Sequence, residues 1–170
     1  GRVPLSASGS MNPRDLIDLL ARHEQWLLRR SGGKRADLAL RDLHGFSLMK
    51  AKLSRAKFAG ANMSSCRLVA ADLSGADLFS VTLDGADLRS ANLLGADLRG
   101  AHIRNAQLEG ANLAKADLRG GGLLESDASA ALAAGDSSVR QSVFDNSNFK
   151  HANLKGADLT GTSLRNCDLT

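Results

Sequence analysis

The chain has no tyrosine, one tryptophan, five phenylalanines and two prolines among its 170 residues. A conventional core of that length draws on more large rings, so any core here must be built from small and aliphatic side chains. Only two cysteines are present, Cys66 and Cys167. Both fall in a slot otherwise filled by alanine, so they read as small buried hydrophobes rather than a disulfide or a ligand pair. No apolar run reaches spanning length and no signal peptide is recognisable, so a soluble, cytoplasmic protein is expected. The four histidines, His23, His44, His102 and His151, have no metal-ligand spacing among themselves or with the cysteines. Serines are frequent, but none sits in a nucleophile elbow. No catalytic, cofactor-binding or metal-binding residue is assigned, and no small-molecule substrate is expected.

What the sequence does have is a period. A leucine or close substitute falls every fifth residue from Leu38 to Leu123, usually with alanine two places before it, as in Ala36-Asp37-Leu38, Ala71-Asp72-Leu73, Ala96-Asp97-Leu98 and Ala116-Asp117-Leu118. The exceptions at the central place are Phe58, Met63 and Ile103. Further centres follow at Phe144, Phe149, Leu154, Leu159, Leu164 and Leu169. A period of five fits neither a helix of 3.6 residues per turn nor a strand of two, so the unit is a repeated supersecondary turn.

The Ala-Asp/Asn-Leu-x-x unit resembles the pentapeptide-repeat family, over about residues 36–124 and 142–170. The resemblance implies an all-β solenoid, a right-handed quadrilateral parallel β-helix of about six to seven coils, with one pentapeptide on each side. The expected core is then a column of central residues, including Leu73, Leu78, Leu88, Leu93, Leu98, Leu113, Leu118 and Leu159, each contributing roughly 1.5–3 kcal/mol when buried. Successive coils should lie about 4.8 Å apart. Gly75, Gly85, Gly95, Gly100 and Gly110 recur at the last place of a repeat and read as corner residues, not a phosphate loop. Arg41 and Phe46 break the small-residue rule two places before a centre, so an irregular first coil is expected.

Gly1–Ser10, ahead of Met11, reads as an expression scar, and residues 1–11 are set aside as outside the fold. From residue 12 to 33 a helix is expected, with Asn12 as N-cap, Pro13 at the first helical position and Ser31-Gly32-Gly33 as its stop. Leu16, Leu20, His23, Trp26 and Leu27 form its apolar side. Such an amphipathic α-helix can cap the open first coil; a helix that docks a partner is the competing reading.

Residues 124–141 interrupt the β-helix that otherwise runs over 36–170, because Leu123 to Phe144 is one residue more than a whole coil. Either one coil carries a one-residue bulge, or one pentapeptide step is followed by a loop of about sixteen. The run Ser129-Ala130-Ala131-Leu132-Ala133-Ala134-Gly135 favours an extruded loop with a helical turn. Excursions from solenoids carry function, which makes Glu125, Asp127, Leu132, Asp136 and Arg140 the expected partner-binding residues. The chain ends within a repeat. A homodimer through the C-terminal coils, at Leu164 and Leu169, would cover that edge; truncation from a longer chain is the other explanation.

The formal charge is +4, and residues 1–35 hold seven basic against three acidic residues, while the remaining basic and acidic residues cancel. Asp77, Asp97 and Asp117 should stack on one side, with Arg99 and Arg119 interleaved to offset their repulsion. A convex prism offers no cleft for paired-carboxylate chemistry, which argues against an enzyme. The reading preferred from sequence is a non-enzymatic protein–protein interaction scaffold. The alternative follows from the family's known members: a DNA-mimicking protein that binds DNA gyrase or topoisomerase IV and gives quinolone or toxin resistance. A neutral body departs from the negative surface that mimicry needs. A basic leader without interleaved aromatics argues against direct nucleic-acid or membrane binding.

Overall fold

The computed structural model describes residues 10–120 and 140–170. Apart from one helix, the described chain is a ladder of short parallel bridges: Asp37 pairs with Lys57, Lys57 with Asp77, Asp77 with Asp97 and Asp97 with Asp117. The same twenty-residue offset holds from Asp42, Ser47 and Lys52, so each coil has four sides of five residues. The central residues therefore stack in four columns. The first holds Leu38, Phe58, Leu78, Leu98 and Leu118; the second Leu43, Met63, Leu83 and Ile103; the third Leu48, Leu68, Leu88 and Leu108; the fourth Leu53, Leu73, Leu93 and Leu113. All of these are buried, and they form one core with the alanines beside them.

Five-residue periodicity produces this shape because it accounts for every backbone N–H of a repeat. Around Leu78, Ala76 N–H closes a turn onto Leu73 O (3.1 Å), and Asp77 N–H reaches back to Ala56 O in the preceding coil (3.0 Å). Leu78 N–H and Ser80 N–H reach forward to Asp97 O and Arg99 O (both 2.8 Å). The remaining donor, Phe79 N–H, is taken by the Asp77 carboxylate (3.2 Å). Asp or Asn before the centre is thus a turn residue whose side chain reaches two places ahead. The corner itself is a type II turn, with Val81 N–H bonded to Leu78 O (3.1 Å) and Ser80 at φ 53°. Gly75, Gly85, Gly95, Gly100 and Gly110 occupy the same corner place with positive φ.

Four polar residues of the inward slot donate to a central carbonyl one coil back, whereas Ser142 Oγ bonds Arg119 O (2.7 Å) and reaches the central Leu98 O only at 3.4 Å. Cys66 Sγ donates to Leu43 O (3.0 Å), Ser147 Oγ to Ile103 O (2.5 Å), Thr162 Oγ1 to Leu118 O (2.7 Å) and Cys167 Sγ to Phe144 O (3.1 Å). A central carbonyl has two lone pairs and its turn uses at most one, so a small donor fits without a buried unsatisfied group. Burial pushes the Cys66 thiol up to about 11, so at neutral pH it is a thiol and not a reactive thiolate.

The helix, α1, spans Pro13–Leu27, with Asn12 as N-cap accepting from Arg14 N–H (2.9 Å). It stops before the expected Ser31-Gly32-Gly33. Arg30 N–H bonds Gln25 O (2.9 Å) and Arg29 N–H bonds Trp26 O (3.0 Å), a Schellman ending in which Arg29, at φ 55°, takes the left-handed place usually given to glycine. Gly33 serves a different purpose: a Cβ there would lie 2.6 Å from Trp26 Cα, so only glycine lets the chain turn back along the helix. Leu16 and His23 are buried, with Leu20, Trp26 and Leu27 partly so. Ser10 and Met11, set aside on sequence grounds, belong to the folded body. Ser10 pairs with Asp42 in parallel, Met11 N–H bonds Asp42 O (3.1 Å), and the Met11 side chain is buried beneath the second column.

The first coil, expected to be irregular, has regular backbone pairing. Asp37, Asp42 and Ser47 bridge to the next coil in register, and Leu40 and Gly45 turn its corners with positive φ. Arg41 and Phe46 are accommodated by remaining partly exposed instead of bending the backbone.

Beyond Leu118 the offset changes from twenty to forty-one: His102 pairs with Val143, Gln107 with Asn148, Asn112 with Asn153 and Asp117 with Asp158. Ile103 N–H bonds Val143 O (2.8 Å), so Phe144 follows Ile103 in the second column. Leu123 and most of the expected 124–141 loop lie outside the described residues. In the last coil Leu159 is 37% exposed and Leu169 55% exposed, with Leu164 partly buried. Leu159 is therefore less sealed than the buried column residues Leu38 to Leu118.

Candidate interaction surfaces

The outward side chains form straight ladders. On the first side Asp77, Asp97, Asp117 and Asp158 bridge in succession, as expected for the first three. Arg99 binds Asp97 through both Nε and Nη2 (2.9 Å each) and approaches Asp117 at 3.9 Å. Arg119 binds Asp117 (2.9 and 2.7 Å) and approaches Asp158 at 3.6 Å. Each arginine sits between two carboxylates, which removes the repulsion of a bare acidic ladder. Burial alone would raise the Asp117 carboxyl, but the Arg119 side-chain and backbone bonds outweigh it and hold the group below the ordinary carboxylate range.

The second side carries Asp84 and Arg104, paired at 2.8 Å, and above them Asp145, which accepts from Arg165 N–H (2.9 Å) and Ser163 Oγ (2.6 Å). On the third, Arg89 forks onto Asp87 (2.8 and 2.7 Å). The fourth carries an amide ladder: Asn92 donates to Asp72 (3.5 Å) and Asn112 to Asn92 (3.3 Å), beside exposed Leu94.

Charge is distributed along the axis more widely than the leader alone. From Ser10 to Ala70 there are twelve basic and five acidic residues, against nine and ten over the other described residues. Positive charge therefore extends through Lys50, Lys52, Arg55, Lys57 and Arg67 into the first two coils. The neutral stretch begins above them.

Of the expected partner-binding residues, Glu125, Asp127, Leu132 and Asp136 lie outside the described residues. Arg140 is half-buried against the second side, donating through Nη1 to Ser80 O (2.8 Å) and through Nη2 to Thr82 Oγ1 (3.1 Å). Burial and the neighbouring Arg104 lower its pKa, while Asp84 opposes that shift. Arg140 anchors the returning chain on the body. No signal in the sequence marked Arg140 for that role, because its partners are a backbone carbonyl and a hydroxyl some sixty residues earlier.

At the N-terminal end, His23 is fully buried. Its Nε2 donates to Ser54 O (2.8 Å) and its Nδ1 accepts from Ala36 N–H (3.0 Å). In every regular coil, groups at these places pair with backbone of the preceding coil, as Arg55 N–H does with Ser74 O (2.8 Å) and Ala56 N–H with Leu53 O (3.0 Å). The imidazole thus supplies the donor and the acceptor that backbone groups supply in the regular coils. Trp26 stacks on it at 5.3 Å, with the Arg55 guanidinium 4.9 Å and the Arg35 guanidinium 5.7 Å from the indole.

Among the described residues no cluster of His, Cys, Asp or Glu could hold a metal ion, and no helix is long and apolar enough to cross a membrane.

The family model of pentapeptide repeats, eight copies long, matches the chain in three segments, residues 47–85, 82–120 and 136–170. Among solved structures, a pentapeptide repeat protein of the Arabidopsis thaliana thylakoid lumen is 30% identical, over 76% of this chain and 69% of that one, with a TM-score of 0.39. HetL of Nostoc sp. strain PCC 7120, involved in heterocyst differentiation regulation, is 27% identical over 81% of this chain and 71% of its own, with a TM-score of 0.24. QnrB1, a plasmid-mediated fluoroquinolone resistance protein, is 18% identical over 81% and 64%, with a TM-score of 0.27. Among curated proteins none matches. The chain belongs to the pentapeptide-repeat family, whose fold is a right-handed β-helix solenoid.

Proposed function

We propose that this pentapeptide-repeat protein is a non-enzymatic scaffold that binds a protein partner along its flat sides, with α1 serving as the cap of its first coil. The observation that carries the reading is the anchoring of the outward side chains. Asp77, Asp97 and Asp117 each hold a backbone N–H two places ahead, at 3.1 to 3.2 Å, so the ladder is held rigid before any partner arrives. A surface already ordered loses little conformational entropy on binding. Mimicry of duplex DNA is the poorer reading, because arginines neutralise the acidic ladder and the first coils are basic.

A DNA gyrase supercoiling assay with and without ciprofloxacin separates the two. The scaffold reading expects no protection and no inhibition from the full chain or from a variant lacking residues 124–141. Protection by the full chain that is lost in the deletion would replace it with topoisomerase binding through that segment, where Glu125, Asp127, Leu132 and Asp136 lie. We further propose a homodimer through the last coil, at Leu164 and Leu169. Light scattering at high micromolar concentration should return twice the chain mass, and a monomer there removes the dimer.

A further inference from the structure

We propose that His23 makes the seating of α1 on the first coil an acid-released joint, closed while the imidazole is neutral and opened when it takes up a proton. The geometry admits one tautomer. Ser54 O can only accept, so Nε2 carries the proton; Ala36 N–H can only donate, so Nδ1 must be bare. A buried histidine that bonds two carbonyls could accept a second proton in place. His23 cannot, because protonation at Nδ1 sets an N–H against the Ala36 N–H.

The charged groups that face the ring give little relief. Arg35, from the chain entering the coil, and Arg55, from the coil itself, both oppose a positive imidazole; Glu24 on α1 is the one carboxylate that favours it. Burial is the largest influence and also favours the neutral form, against the bond to Ser54 O, so the group titrates below its ordinary value. The sign follows. A folded pKa below the unfolded one contributes stability that is complete above about pH 6.5 and declines as pH falls below it. The loss is local to this joint, since repeats couple only to their neighbours. Opening releases Ala36 N–H and Ser54 O, and it uncovers the N-terminal edge of the first coil, a surface suited to pairing with further chain.

Trp26 stacks on His23 and is the only tryptophan, so its fluorescence reports the joint alone. Titrated from pH 8 to pH 5, the full-length protein should show a red shift in Trp26 emission with a midpoint below about 6.5. Over the same range, hydrogen exchange at the Ala36 amide should accelerate about tenfold or more beyond the intrinsic pH effect, while Ala76 and Ala96 stay protected. A His23→Gln variant, whose amide can donate to Ser54 O and accept from Ala36 N–H, should abolish the transition. A His44→Gln/His102→Gln/His151→Gln variant should keep it. The proposal is overturned if wild-type emission is flat across the range, if the transition persists in His23→Gln, or if NMR titration of wild type puts the His23 pKa at or above the ordinary value. That last measurement decides the matter even if His23→Gln does not fold.

Discussion

Truncating one leucine in two layers of a single column separates packing from propensity. Leu98 and Leu159 occupy the same place of a repeat, in the same column and on the same side; Leu98 is 0% exposed and Leu159 37%. Leu98 lies between Leu78 and Leu118, both fully buried, and its N–H bonds Asp117 O (2.7 Å), so the neighbouring coils are held and cannot close over a void. Leu98→Ala should therefore cost both the transfer of the side chain and an unrelaxed cavity, about 3 kcal/mol within the usual range of about 2–5. Leu159→Ala removes a side chain that already meets solvent and leaves an open notch, so about 1 kcal/mol is expected. Urea unfolding followed by far-ultraviolet dichroism reads the difference in midpoint. Because repeat arrays need not unfold in one step, hydrogen exchange at Ala76 N–H and Ala96 N–H should accompany it. Equal losses at the two sites would refute the column, since they would mean that Leu98 is no better packed than Leu159.

Other substitutions test other links. Leu98→Asp places an unpaired carboxylate in the column and should abolish the folded body; a soluble variant with the wild-type dichroism spectrum would show the register to be wrong. Ser147→Ala should cost less than about 1 kcal/mol in urea, because the direct bond from Ala106 N–H to Ile103 O, seen at alanine-containing turns elsewhere, can replace the hydroxyl bridge. A larger loss would mean that the hydroxyl, not the turn, holds that corner. Leu40→Gly relieves a left-handed residue (φ 61°) whose side chain is largely exposed, and should leave stability unchanged or raise it by up to about 1 kcal/mol in the same assay. Asp84, Asp87 and Asp117 are held below the ordinary carboxylate range. Their contribution is thus present above about pH 4 and lost as pH falls below it, so the thermal midpoint of the body should drop there.

The columns were legible because four repeats of five close a coil, and counting from Leu38 places Phe58, Leu78 and Leu98 one above another without knowledge of any side-chain contact. Asp77 was legible as an outward residue, but its hold on Phe79 N–H was not, since periodicity reports which way a side chain points and not which donor lacks an acceptor. His23 was placed on the apolar side of α1, yet its partners, Ala36 and Ser54, lie thirteen and thirty-one residues away. The helix end was misjudged because glycine is the usual left-handed residue and Arg29 fills that place here. The return of the chain at Phe144 could not be counted either. A gap of twenty-one between Leu123 and Phe144 does not say where pairing with the body resumes, whereas the pairing of Val143 with His102 does. Met11 was excluded by its neighbours' composition, although its side chain fills the base of a column.

Binding of a protein partner along the flat sides can be caught directly by crosslinking. A photo-crosslinking amino acid placed in turn at Phe79, Arg104, Glu109 and Leu94, one outward position on each side of the solenoid, tests it most directly in cells that make the protein. A partner bound along a flat side should give a discrete adduct of one mass from one side or from two adjacent sides, and none from the others. Folded variants that give no discrete adduct from any of the four sides would contradict it.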